Sequence, residues 1–181
     1  MKRFLLWTFA LAAVSAAAVA ATAATDAQAA TGTSPVDGIT RKIEQHRRAT
    51  WRLQRLMGRR PVRTTYSAHR SNDREYRRWL LAVWRRRHAR ARRAFARPPH
   101  RAAWLCIQRH EAPWHDPGGP YYGGLQMDLA FQRLYGADLL RRKGTANRWT
   151  RLEQMWVAER ALRAGRGFYP WPNTARACGL L

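Results

Sequence analysis

Apolar positions recur at helical spacing through most of this chain, and the breaks between them fall at proline and glycine. Ile39, Ile43, Leu53 and Leu56 predict a helix over residues 39–57, ended by Gly58 and Pro61. A polar turn over residues 64–71 follows. Asn72 then stands where a cap is needed, with Glu75 three residues on, the spacing of a capping box. Beyond it Tyr76, Trp79, Leu80, Val83, Trp84, Ala91 and Phe95 share one helix face, with Arg90 intruding on the stripe. Pro98-Pro99 stops that helix. A short helix is expected over residues 100–112, ended by Pro113. Residues 114–124 are rich in turn signals, Pro117-Gly118-Gly119-Pro120 and Gly123-Gly124, with room for a small hairpin around residues 121–125. A helix over residues 125–135 should end at Gly136. Thr150-Arg151-Leu152-Glu153 is a second capping box. It opens a helix whose buried stripe would be Leu152, Met155, Trp156 and Leu162, closed by Gly165. No internal repeat and no longer run of strand-like alternation is present. The pattern predicts a mainly α protein of α+β class with one minor β-hairpin.

The N-terminus changes where such a protein would work. Met1-Lys2-Arg3 is basic, residues 4–21 are apolar or small, and Ala27-Gln28-Ala29 has the form of a cleavage site. Residues 1–29 therefore read as a secretory signal peptide, with an uncleaved membrane anchor as the alternative, and residues 30–38 as a linker. In an exported chain the two cysteines, Cys106 and Cys178, suggest a disulfide.

Charge adds a partner class. The formal net charge is +23, and residues 41–97 carry 20 Lys or Arg against three acids, residues 101–181 only 12 against six. Residues 39–99 thus form an Arg-rich helical region, which attracts polyanions. For an exported protein these would be anionic wall polymers rather than nucleic acid, and the membrane enters only through an uncleaved signal. The plainer reading of the second helix is an apolar face packed on its own domain and a solvated basic face; docking to a membrane surface or a partner fits the same pattern.

Among the acids, Glu111 is the one placed for chemistry. Trp104, Ile107, Gln108 and Glu111 fall on one face of the short helix, so the carboxyl follows an apolar face toward the interior in the last helical turn. Burial and the negative end of the helix dipole both favour the protonated acid, which a general acid at neutral pH requires. The alternative is a helix-end glutamate paired with Arg109 or another arginine.

The segment Trp104-Leu105-Cys106-Ile107-Gln108-Arg109-His110-Glu111, then Trp114, then Tyr121-Tyr122-Gly123-Gly124-Leu125-Gln126-Met127 resembles the resuscitation-promoting factors. These are lysozyme-like enzymes of actinobacteria related to lytic transglycosylases. The resemblance continues in Glu153-Gln154-Met155-Trp156-Val157-Ala158-Glu159-Arg160 and in Trp171-Pro172, and it does not extend into the basic region. It implies a small lysozyme-like catalytic domain over residues 100–181, preceded by the signal peptide and the basic helical region. It further implies cleavage of the β-1,4 bond between N-acetylmuramic acid and N-acetylglucosamine in peptidoglycan, with Glu111 as catalytic acid. Tyr122 and Gln126 match positions in the glycan groove of that family, Gly123 and Gly124 its turn, and Trp171 its W-P aromatic, which the resemblance adds to the substrate-binding groove positions. Both cysteines depart from the family pattern by four positions, which on the first helix is about one turn and keeps the face.

Trp114, Tyr121, Tyr122 and Trp149 are candidate sugar-stacking residues, each with core packing as its alternative. Asp116 is the candidate second acid; Asp128 reads as a first-turn charge, Glu153 as part of its cap and Glu159 as structural. His100, His110 and His115 lack metal spacing with the cysteines, so neither zinc nor any other cofactor is expected. The rival reading is a secreted, wall-associated protein that holds glycan and anionic polymer without cleaving either.

Overall fold

A computed structural model describes residues 38–64 and 73–181. The expected signal peptide, the linker before Gly38 and the Asn72 cap lie outside the described residues. The chain is mainly helical with one two-stranded antiparallel sheet. The elements are α1 (Gly38–Leu56), α2 (Arg74–Phe95), α3 (Arg101–Glu111), β1 (Tyr121–Tyr122), β2 (Met127–Asp128), α4 (Leu129–Lys143), α5 (Arg151–Ala161) and α6 (Pro172–Ala177). Gly38, assigned above to the linker, already belongs to α1. No described helix is long and apolar enough to cross a membrane.

The helices α1 and α2 pack together around Ile43, Leu80 and Trp84, with the Trp51 ring set edge-on to Trp84 at 6.3 Å. The chain after α1 folds back on it: Trp51 Nε1 donates to the Val62 carbonyl at 2.9 Å, and Val62 N–H to Gln54 Oε1 at 3.0 Å. Two expectations for α2 are corrected. Its cap is Asp73, whose side chain accepts from Glu75 N–H. Its buried side runs through Leu80, Trp84 and Ala91, so Arg90 is exposed and breaks no pattern. Trp79 falls outside that narrower stripe, is 56% exposed, and lies beside Tyr76 instead.

The larger core gathers Trp104 and Ile107 of α3, Leu125 and Met127 of the hairpin, Leu139 of α4, Met155 and Val157 of α5, and the loop residues Trp149 and Trp171. The two parts are joined by hydrogen bonds onto α5. Trp156 Nε1 donates to the Phe95 carbonyl at 2.8 Å, and the Arg160 guanidinium to the Leu56 and Tyr135 carbonyls at 2.9 and 2.7 Å. Arg163 likewise reaches the Met57 carbonyl at 2.7 Å.

The fourth helix differs most from expectation. It begins at Leu129, because Asp128 caps it by accepting from Phe131 N–H, and residues 125–128 belong to the hairpin instead. It does not stop at Gly136 but bends there, with φ −132° and ψ 20°, and continues to Lys143. A Cβ at Gly136 would lie 2.6 Å from the Trp149 ring, so this glycine serves close packing and not termination. The Thr150–Glu153 capping box forms as read, and Lys143 Nζ adds an ion pair to Glu153 at 2.7 Å. All of α5 from Glu153 to Glu159 is buried, a wider surface than the four-residue stripe.

Glu159 is 1% exposed and structural, as expected of it. Its carboxylate accepts from Trp104 Nε1 and from His100 N–H, both at 2.8 Å, and lies 3.2 Å from His100 Nδ1. Replacing it leaves buried donors without an acceptor, which costs far more than a surface hydrogen bond is worth. Glu159→Leu is expected to lower stability by about 2–3 kcal/mol. In urea this appears as a lower unfolding midpoint at unchanged slope; an unaltered midpoint would show that the network adds nothing.

Candidate active site

The helix α3 ends where its sequence says it must. Pro113 disfavours helical geometry in the residue before it, and Ala112 is extended, with φ −159° and ψ 167°. Gln108 Nε2 donates to the Ala112 carbonyl at 2.8 Å and fixes that exit. Glu111 is thereby the last residue of the helix. It is half-buried, one turn beyond the buried Ile107. Among the described residues it makes no ion pair, with Arg109 or any other base. Its described partner is a neutral one, the Thr174 hydroxyl, which donates to Oε1 at 2.8 Å.

Thr174 lies on α6, and α6 is fastened to α3 by the Cys106–Cys178 disulfide, with Cα atoms 6.0 Å apart. Both ends of the short α6 are therefore set. Trp171, its cap residue, is 4% exposed and donates from Nε1 to the Leu125 carbonyl at 2.6 Å. Thr174 was not singled out in the sequence. Its one sequence signal is its place three residues after Trp171 and four before Cys178. The sequence also missed that His110 follows Cys106 by one turn. The His110 ring and the two sulfurs lie within 4.8 Å of one another, although the sulfurs are consumed in the disulfide.

The hairpin is pressed against α3 from the other side. A Cβ at Gly124 would meet Gln108 Cγ and the Trp114 ring at 2.9 Å each, so only glycine allows this approach. Gln154 of α5, fully buried, donates to the Trp114 carbonyl at 2.8 Å and holds the loop in place. Within the hairpin, Gln126 has φ 45°, in the left-handed region. Its Nε2 donates both to Asp116 Oδ2 at 2.7 Å and to the Gly123 carbonyl at 2.9 Å. Both of its amide hydrogens are thus used internally, and only its carbonyl oxygen remains for a ligand. Asp116 also accepts the Gly123 N–H on its backbone oxygen. Asp116 is engaged in shaping the turn, which weakens its case as a second acid.

The aromatic candidates divide. Tyr121 is half exposed, at 51%, and its strand neighbour Tyr122 is half-buried, as is Trp114. Trp149 and Trp171 are buried, Trp149 with its Nε1 donating to the Gly144 carbonyl, and Trp171 against Trp104 and Phe131. These last two have no face left for a sugar, and the stacking expected of Trp149 and the groove position implied for Trp171 are corrected to core packing. No protein-family model, curated protein or solved structure matches this chain. The resemblance noted above therefore rests on the residues that carry it.

Two outcomes follow from this geometry. Cys106→Ser with Cys178→Ser opens a loop of 72 residues, and the chain-entropy relation gives a loss of about 4 kcal/mol; equal thermal unfolding of the oxidised wild type and the double variant would refute it. Gly123 has φ 73°, and a Cβ there would lie 2.6 Å from Gln154 Oε1. Gly123→Ala should cost about 2 kcal/mol from the backbone conformation and the clash together, read from chemical unfolding.

Proposed function

We propose that the protein is a secreted, wall-associated glycosidase that cleaves peptidoglycan strands with Glu111 as its acid and base. The observation that carries this reading is the state of Glu111. In a chain of net charge +23 it ends α3 half-buried, with a neutral hydroxyl and no cation as its described partner. The arginine-paired alternative is not what is observed. A carboxyl whose Oε1 is fixed by Thr174 keeps Oε2 to carry and deliver a proton.

In the proposed reaction, Oε2 gives its proton to the bridging oxygen between N-acetylmuramic acid and N-acetylglucosamine. The bond breaks, and positive charge develops on the muramic sugar. The Glu111 carboxylate then takes a proton either from water, giving hydrolysis, or from the sugar's own 6-hydroxyl, giving an anhydro end. One acid serves both halves, consistent with the use of Asp116 in the turn. Tyr121, Tyr122 and Trp114 are the aromatic surfaces left for the glycan, with the Gln126 carbonyl as an acceptor. No cofactor is required.

The second reading, a protein that holds wall polymers without cleaving them, draws on the exposed arginines of α1 and α2. The two readings part on sacculi. Wild type should release muropeptides and Glu111→Gln none, with unchanged binding. Thr174→Val should leave the fold intact and lower kcat about tenfold, the equivalent of one oriented hydrogen bond, with KM little changed. Equal release by wild type and Glu111→Gln would remove Glu111 from the mechanism, and mass spectrometry of the released ends separates hydrolysis from anhydro formation.

A further inference from the structure

A groove of about 1080 Å³ runs along α1, away from the residues assigned to cleavage, and five of its ten lining residues are arginines. Arg48, Arg52 and Arg55 of α1 line it at helical spacing, joined by Arg142 of α4 and by His46 and His88. At 1.5 Å of rise per residue, Arg48 to Arg55 spans about 10 Å, a row of charges rather than a point. Among the described residues the sole carboxylate in the lining is Glu44, and it is already engaged with Arg47 and lies 4.0 Å from Arg48. Arg142 pairs with Asp138 at 3.1 Å, and Arg160 shares that carboxylate at 3.7 Å, so two guanidinium groups face one acid there. Such a row matches a ligand that repeats its negative charge along a chain.

The histidines add a second property. His46 of α1 and His88 of α2 meet across the helix pair, with their Nδ1 atoms 3.1 Å apart. One of the two nitrogens must be unprotonated for that contact to hold, since two facing N–H groups would repel. The charged groups around the pair are Arg41, Glu44, Arg48, Arg52 and Arg55 on α1, Arg85 and Arg92 on α2, and Arg142 on α4. Seven cations against one carboxylate oppose protonation of either ring, and a polyanion in the groove would reverse that balance.

We propose that this groove is a binding site for a linear, base-free phosphate polymer, of the polyol-phosphate or polyphosphate kind, and that the His46–His88 pair makes binding tighten as the pH falls. Single-stranded nucleic acid fits less well, because its bases need aromatic platforms to stack on and the groove has none beyond the two imidazoles, which face each other. Both histidines are held below their ordinary pKa, first by burial, then by Arg85 for His46 and by His46, Arg92 and Arg52 for His88. They are therefore largely neutral near neutral pH. A bound phosphate chain lowers the cost of their protonation, so the complex takes up protons and affinity rises with acid. The free protein behaves oppositely. Because its folded-state histidines bind protons less readily than the unfolded chain does, their contribution to stability is present above about pH 6.5 and falls away below it. This site does not depend on the role given to Glu111, and Glu111→Gln should bind the polymer as wild type does.

The test uses the full chain with three probes of equal charge: poly(glycerol phosphate), long-chain polyphosphate and a single-stranded RNA. Titration calorimetry in two buffers of different ionisation heat near pH 6 should report net proton uptake with the base-free polymers. Their affinity should rise at least tenfold between about pH 7.5 and pH 5.5. His46→Gln with His88→Gln should keep binding near pH 7.5 and lose that rise. Arg48→Ser with Arg52→Ser, both exposed positions, should weaken binding at either pH and lower the slope of log affinity against log salt by about one to two. Zero proton uptake by the wild type, an acid rise that survives in the histidine variant, unchanged binding by the arginine variant, or tighter binding of RNA than of both other polymers would each overturn the proposal.

Discussion

Helix α5 runs through the interior, and three of its buried residues, Glu153, Gln154 and Glu159, are polar. A buried polar group without partners costs several times what a hydrogen bond returns, so each of these side chains dictates what is placed around it. Glu153 closes its own helix start and draws Lys143 from the end of α4. Gln154 collects the carbonyls of Trp114, Ala146 and Trp149, which brings the loop after α3 and the short 3-10 turn (Ala146–Arg148) to the same point. Glu159 takes the start of α3 through His100 and Trp104. The position of α3, and with it of Glu111, follows from satisfying that one helix.

The far end of α3 is held by different means. There the disulfide to Cys178 and the Thr174 hydroxyl replace buried charge. The hydrogen bond alone is worth about 1 kcal/mol, too little to order a six-residue helix against its conformational entropy. The covalent link and the burial of Trp171 supply the ordering, and the hydroxyl then orients a carboxyl that is already in place. Under the proposed role of Glu111, support behind the carboxyl is what a general acid needs, because its proton must be delivered along one direction. A glutamate held by a flexible arginine would have charge compensation without that direction.

Much of this was legible in the sequence where the signal is local. The Thr150 capping box and the stop at Pro113 depend on neighbours within a few residues and stand as read, with Glu111 in the last turn of its helix; the hairpin forms as well, but it reaches to Asp128. The misreadings share another cause. Gly136 looked like a helix end because glycine ends helices in isolation, whereas here a tryptophan thirteen residues later needs its missing side chain. Trp79 looked buried because periodicity gives the face of a helix but not the width that its neighbour covers, and of the two readings open for Trp149 its burial selects core packing. Gln126 matched a groove position, yet its amide is committed to Asp116, ten residues earlier in the chain. Thr174 could not be found at all without the fold, since its meaning is the distance to a residue 63 positions away.

The charge excess also takes on structure. Arg160 and Arg163 spend most of their donors on the backbone carbonyls of Leu56, Met57, Tyr135 and Glu159, and Arg160 also pairs with Asp138 at 3.7 Å. A guanidinium used in this way fastens two segments without consuming an acid at each contact. The same residues therefore tie α1 to α5 and keep the surface strongly positive. A ligand gripped by the basic groove would be held by the same compact unit that carries Glu111. Under the reading of Glu111 as a wall-cleaving acid, anchorage would act through effective concentration: a polymer joined to the glycan keeps the next bond near the acid after each release. That advantage weakens as salt screens the arginines, while the hydrogen bond that aims Glu111 does not. Salt should therefore separate retention on the wall from the chemistry at the end of α3.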